Sequence, residues 1–190
     1  MGISALVFNL VQIQITWAAV ITCPNSGECI GTSGNDIIMG TAGGGIIRAL
    51  GGDDKIVGAW NDHNTIEGGS GNDILIGGQL DDVLFGGLGN DKYDGRGGHD
   101  ALLETFDSIE LHGGNDDMSG NRGNDYIQSG GGADRIFGGP GNDQINDSLF
   151  LRDFETDTVD CGSGTDLVET FYSGDGDTAV FCETVHNGDG

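Results

Sequence analysis

Residues 68 to 103 read GGSGNDILI (68–76), GGQLDDVLF (77–85), GGLGNDKYD (86–94) and GRGGHDALL (95–103). Four units of nine residues follow one another without a break, and self-similarity at a fixed period is the signature of a solenoid, decided before any local structure is assigned. The period extends in both directions. Upstream stand GTSGNDIIM (31–39), a degenerate GTAGGGIIR (40–48) and ALGGDDKIV (49–57); downstream stand LHGGNDDMS (111–119), GNRGNDYIQ (120–128), SGGGADRIF (129–137) and GGPGNDQIN (138–146).

The eighth position of the unit is almost always aliphatic: Ile38, Ile47, Ile56, Ile66, Leu75, Leu84, Tyr93, Leu102, Ile109, Met118, Ile127, Ile136, Ile145, Val159 and Val168. One inward side chain flanked by two outward neighbours predicts a short strand, because strand side chains alternate between faces. The first six residues form the turn. Two half-turns make a coil of about 18 residues, and stacked coils bury a thin aliphatic ladder between two sheets.

Such a ladder buries little apolar surface for the entropy lost in ordering the chain, and 38 glycines raise that cost. The sixth position carries the compensation: Asp36, Asp54, Asp73, Asp82, Asp91, Asp100, Asp107, Asp116, Asp125, Asp134, Asp143, Asp157 and Asp166. Residues 18 apart stack on one edge, so the pairs 36/54, 73/91, 82/100, 107/125, 116/134 and 125/143 each place carboxylates in adjacent coils. Left alone they repel; a hard divalent cation with oxygen ligands turns the repulsion into a cross-link. Glycine turns expose carbonyls that complete such a shell. Mg²⁺ fits less well than Ca²⁺, because it demands tighter octahedral geometry and keeps its waters. The competing reading is that each aspartate caps its own turn as an Asx residue does.

Charge points the same way. With 31 acidic and 7 basic residues the 190-residue chain has a net charge of −24 at pH 7. Nucleic acid is excluded as a partner, and multivalent cations are favoured. The four cysteines fall into two local pairs, Cys23 with Cys29 and Cys161 with Cys182, at the two ends of the array. Even, local pairing suggests disulfides and an oxidising compartment. Zinc is the alternative, against which stand the absence of a CxxC and the scatter of His63, His99, His112 and His186.

The units resemble the RTX (repeats-in-toxin) proteins, whose consensus is GGxGxDxUx with U aliphatic. GGSGND, GGLGND and GGPGND recur in register; the likeness is strong over 31–146 and weak over 152–182. It implies an all-β fold, a right-handed parallel β-roll (β-solenoid) with disulfide-closed ends. It also implies Ca²⁺ ions held between turns by the thirteen sixth-position aspartates and by turn carbonyls, with folding on export into calcium-rich surroundings. Units without the acid, with Gly45 in 40–48 and Asn64 in 58–67, are expected to bind weakly or not at all; 58–67 has one extra residue and 104–110 lacks two. Members of the family usually lack cysteine and leave by a type I route, so the cysteines here favour a general secretory route.

The expected organisation is an N-terminal strand and cap with a local disulfide (1–30), the roll (31–146), an inserted apolar loop (147–156) and C-terminal coils with a disulfide cap (157–190). Residues 3–22 are apolar, but no Lys or Arg precedes them and Asn9, Gln12 and Gln14 interrupt them, which argues against a signal peptide and a membrane span. Val11 to Trp17 alternates as a strand does. Two readings stay open: a cap on the open end of the roll, or a strand that pairs with a second copy and builds a polymer. Asn146-Asp147-Ser148 matches the N-glycosylation pattern, which is common by chance.

No HExxH, GxSxG or nucleophile-base set is visible, so the chain is expected not to be an enzyme. The function expected is that of a secreted, calcium-bound structural or interaction roll, able to assemble into filaments or a surface layer. The alternatives are the repeat module of a secreted hydrolase or toxin, and an adhesive or glycan-binding roll. An ice-binding face would need a long threonine ladder, and only Thr32 and Thr41 align.

Overall fold

The computed structural model describes residues 18–25, 27–104, 114–146, 155–171 and 176–187. They form two parallel nine-stranded sheets that share the strands alternately. One sheet holds β1 (Val20–Thr22), β3 (Ile37–Met39), β5 (Lys55–Val57), β7 (Ile74–Ile76), β9 (Lys92–Asp94), β11 (Asp117–Ser119), β13 (Arg135–Pro140), β15 (Thr158–Ser163) and β17 (Thr178–Val180). The other holds β2 (Glu28–Ile30), β4 (Gly45–Gly51), β6 (Asn64–Ser70), β8 (Val83–Leu88), β10 (Ala101–Leu103), β12 (Tyr126–Gln128), β14 (Gln144–Asn146), β16 (Leu167–Phe171) and β18 (Thr184–Asn187). This is the parallel β-solenoid that the period of nine predicts.

The register of the ladder follows directly. Ile38, Ile56, Leu75, Tyr93, Met118, Ile136 and Val159 stack in one sheet. Ile47, Ile66, Leu84, Leu102, Ile127, Ile145 and Val168 stack in the other. All fourteen are buried. Cys29 and Ala179 extend the two stacks at the ends, which the aliphatic pattern did not reveal. Ile109 lies outside the described residues.

Two excursions do not disturb the stack. β11 pairs directly with β9, and β12 with β10, so the register closes across 104–113. Likewise β15 pairs with β13 and β16 with β14 across the 147–156 insertion. A solenoid tolerates both because each coil needs only its neighbours' edges, not a fixed chain length between them.

Turns set the glycine pattern. A Cβ on Gly123, at the fourth position with φ +140°, would collide with the Gly98 carbonyl oxygen one coil away. The second position is left-handed in most turns, though not at Thr32, Thr41 or Gly78, and three units place a residue other than glycine in that conformation: Leu50 (φ 82°), Arg96 (φ 73°) and Asn121 (φ 69°). Arg96 lays its guanidinium 5.0 Å from the Trp60 ring centroid, a cation–π contact that reaches past the intervening turn of Gly78.

The cysteines pair as their positions suggested, Cys23 with Cys29 and Cys161 with Cys182, each with Cα atoms just over 5 Å apart. Cys23, Cys29 and Cys161 are buried and Cys182 packs against the ladder, so each bridge closes the core near one end of the array. No helix among the described residues is long and apolar enough to cross a membrane. Of the apolar stretch 3–22, residues 1–17 lie outside the described set; Val20–Thr22 form β1 and pair in parallel with β3.

Candidate metal centre

Each turn between sheets delivers its sixth-position side chain to one of two edges, just before the next strand begins. On one edge the backbone N–H of each aspartate donates to the Oδ1 of the aspartate one coil on: Asp36 to Asp54 (2.6 Å), Asp54 to Asp73 (2.8 Å), Asp73 to Asp91 (2.7 Å), Asp91 to Asp116 (2.7 Å), Asp116 to Asp134 (2.8 Å) and Asp134 to Asp157 (2.7 Å). On the other edge the chain runs from Asn64 to Asp82, Asp100, Asp125, Asp143 and Asp166 with distances of 2.7–2.9 Å.

The stacking corrects one expected pair. Asp125 stacks on Asp100, 25 residues away, and not on a partner 18 residues back at position 107. The cause is that β11 pairs directly with β9 and β12 with β10, so no rung of either stack falls between Leu103 and Asp117. Asp107 itself lies outside the described residues. Two end members were also missed: Asp177 accepts from Asp157 (3.0 Å), and Glu183 accepts from Asp166 (2.7 Å). Neither stands in a recognisable GGxGxD, so the nonapeptide pattern carried no signal for them.

One hydrogen bond per aspartate uses only Oδ1. Among the described residues, the Oδ2 atoms of Asp54, Asp73, Asp91, Asp100, Asp116, Asp125, Asp134, Asp143 and Asp166 are buried and have no hydrogen-bond donor. A buried carboxylate oxygen without a partner is expensive, and nine in register are not a packing accident. Asp36 and Asp82 differ: their Oδ2 atoms accept from the N–H of Thr32 (2.6 Å) and Gly78 (2.5 Å), the Asx-like bond of the competing reading. That bond therefore exists, but in a minority of turns.

At Asp73, Asp100 and Asp143 the bare first-position glycine (Gly68, Gly95, Gly138) lets a carbonyl oxygen of the next coil approach the orphan. A Cβ on Gly68 would lie 2.5 Å from Asp73 Oδ2 and 2.7 Å from the Gly86 carbonyl oxygen of the next coil. Carboxylate and carbonyl thus converge on a bare Cα, a donor-free pocket of hard oxygens of the kind Ca²⁺ takes.

A neighbouring column shows why the sixth residue must be acidic. At the fifth position, Asn35, Asp53, Asn72, Asn90 and Asn115 form their own ladder, each Oδ1 accepting the next N–H at 2.7–3.0 Å. His99 Nδ1, Asn124 and Asn142 do the same on the other edge. An amide is therefore sufficient to bridge coils. A carboxylate adds nothing to that bond; what it adds is a charged oxygen aimed at the turn carbonyls.

Asn64 supplies the control. At this sixth position an amide replaces the acid, and its Nδ2 donates to Ala59 O (3.0 Å), Asp62 O (2.9 Å) and Asp82 Oδ1 (2.7 Å), while Oδ1 accepts from Ala59 N (2.7 Å). The side-chain NH₂ meets the same oxygens that a cation would gather. Asn64→Asp is expected to remove these donors, raise calcium stoichiometry by one in calorimetric titration and lower stability in chelator by roughly 1–3 kcal/mol, the cost of leaving buried groups unpaired. An unchanged stoichiometry would count against the cation reading of this column.

Without a cation the fold favours protons on these groups. Burial, joined by neighbouring carboxylates, pushes Asp100 and Asp134 up to about 8 and Asp54 and Asp91 to about 7. Burial raises Asp73, Asp116 and Asp143 to about 6, and Asp82, Asp125 and Asp166 also rise. The accepted N–H bonds oppose these rises and are outweighed.

Stacked nonapeptide turns with an inward aliphatic ladder and a buried carboxylate column on each edge define a repeat solenoid whose edges present hard oxygen donors. The RTX calcium-binding nonapeptide repeat model (4 copies) matches residues 30–62, 67–102 and 112–145, and the chain belongs to that family. The match stops before the 147–156 insertion, although the coils continue through β15 to β18. Neither comparison with curated proteins nor comparison with solved structures returned a match.

Proposed function

We propose that the chain is an extracellular structural roll that folds when calcium enters its two aspartate columns, and that it joins end to end with other copies through its N-terminal strand. The nine buried, donor-less Oδ2 atoms carry the first half of this reading. Asp36, Asp54, Asp73, Asp91, Asp116, Asp134 and Asp157 would hold ions along one edge, and Asp82, Asp100, Asp125, Asp143 and Asp166 along the other, with Asp107 assigned by its motif alone. Calcium supplies the positive charge that links adjacent coils; the chain supplies the spacing.

Two disulfides support an oxidising, exported setting. For assembly, β1 is the last described strand of its sheet, Val20 on it is 78% exposed, and the alternating apolar segment Val11 to Trp17 precedes it. Solenoid ends need a cover, and a strand from another copy provides one.

Electron microscopy of the full chain tests both halves. Filaments are expected in millimolar calcium, with none after chelation and none for a chain lacking residues 3–17. Discrete single rolls in calcium would remove the assembly claim while leaving the calcium-dependent roll intact.

A further inference from the structure

We propose that Glu104, with Asp91 and Asp116, forms a three-carboxylate cation site unlike the repeating two-aspartate turns, and that this site takes calcium first. The inference rests on the edge aspartates being calcium ligands, and adds a ligand that the nonapeptide pattern does not contain.

Glu104 follows β10 at the first position of its turn, where the coil below has Gly86. Its N–H donates to Gln128 O (2.9 Å), which holds it in column with the neighbouring coils. A side chain at this position points toward the sixth-position acids instead of leaving the bare Cα seen at Gly68. One oxygen from each of Asp91, Glu104 and Asp116 lies within 4.8 Å of the other two. All three residues are 97% or more buried, and Asp91 Oδ2, Glu104 Oε2 and Asp116 Oδ2 have no donor.

The surroundings are shaped to the cluster. Tyr93 is the aromatic exception in the aliphatic ladder, and its hydroxyl donates to Glu104 Oε1 while accepting from Gly86 N (2.7 Å). A Cβ on Gly86 would strike the Tyr93 hydroxyl and Asp91 Oδ2 and lie 2.8 Å from Glu104 Oε1, so glycine there keeps the space between the oxygens clear. The phenol orients one Glu104 oxygen and leaves the other for a ligand. A third formal charge raises the affinity for Ca²⁺ over that of a two-carboxylate turn, since ligand charge count tunes such sites across decades. The position also matters: the site links the two coils that meet where the chain leaves the period between Leu103 and Gly114, beside the β9–β11 and β10–β12 pairings.

The full-length chain, stripped of calcium and titrated with Tb³⁺ and separately with Ca²⁺, tests this. The first Tb³⁺ equivalent should give tyrosine-sensitised luminescence that Tyr93→Phe silences. Calorimetry with Ca²⁺ should resolve one tight equivalent ahead of the rest. Glu104→Gln, and Glu104→Gly, which installs the glycine of an ordinary turn, should each weaken that equivalent at least tenfold and leave the later ones in place. Retention of the tight equivalent in both variants, or its absence from the wild type while weaker equivalents bind, overturns the proposal. Failure of every equivalent to bind would instead reject the calcium reading of the edge columns.

Discussion

Chelating calcium at pH 8 is expected to abolish the β signature of the roll, with recovery when millimolar calcium is restored. The physical reason is the sum of unpaired terms along the two edges. Among the described residues ten buried carboxylate oxygens, nine of aspartates and one of Glu104, have no donor, and each costs about 1–3 kcal/mol when left so. A domain holds only about 5–15 kcal/mol in total. In the other direction, one ion at a hundredfold excess over its dissociation constant stabilises by about 2.7 kcal/mol, so a few sites decide the state of the whole array. Far-UV circular dichroism with EDTA, then with excess Ca²⁺, reads the outcome. A spectrum that does not change in EDTA would falsify the proposed role of the columns. The disulfides sharpen the result: they survive chelation, so refolding on calcium addition needs no oxidant.

In the absence of calcium, acid is expected to restore what the cation supplied. Burial, joined by adjacent carboxylates such as Asp73, Asp116 and Asp125, raises the folded-state pKa of Asp54, Asp91, Asp100 and Asp134 to between about 7 and about 8, against about 3.9 in an unfolded chain. The folded state therefore binds more protons than the unfolded one. Stability from these groups is fully present below about pH 4 and is lost as pH rises through about 8. A tenfold difference in proton affinity is worth about 1.4 kcal/mol, so several kcal/mol accumulate across the column. The metal-free roll should be folded at pH 5 and unfolded at pH 8, the reverse of ordinary acid denaturation. With calcium bound, the dependence should invert, because protons compete for the same oxygens. Thermal melts in EDTA at the two pH values decide it. Equal melting temperatures would mean that the carboxylates are satisfied by something other than cations or protons.

Most of the repeating scaffold could be read without coordinates. Strand positions, the inward eighth residue and the stacking of the sixth residues along the edges are consequences of a period of nine, and fourteen ladder residues are buried where the period puts them. The disulfide partners were legible because each pair is local or closes one end. The two excursions were not equally readable. Treating 104–110 as a short unit assigned Asp125 to the wrong neighbour, since counting along the chain cannot tell a shortened unit from an expelled loop.

The amino-acid order by itself therefore determined the class of fold, the ladder and the carboxylate columns, because side-chain direction in a stacked strand depends only on position within the repeat. Which carboxylates meet was decided by tertiary structure. Asp100 reaches Asp125, Asp116 reaches Asp91, and Glu104 joins Asp91 because hydrogen bonding between coils fixes the stacking wherever the chain leaves the period. The same is true of Asn64, whose amide looks in the sequence like a lost site. Only its contacts show it donating to Ala59 O, Asp62 O and Asp82 Oδ1, doing with two N–H bonds what the other turns leave to an ion.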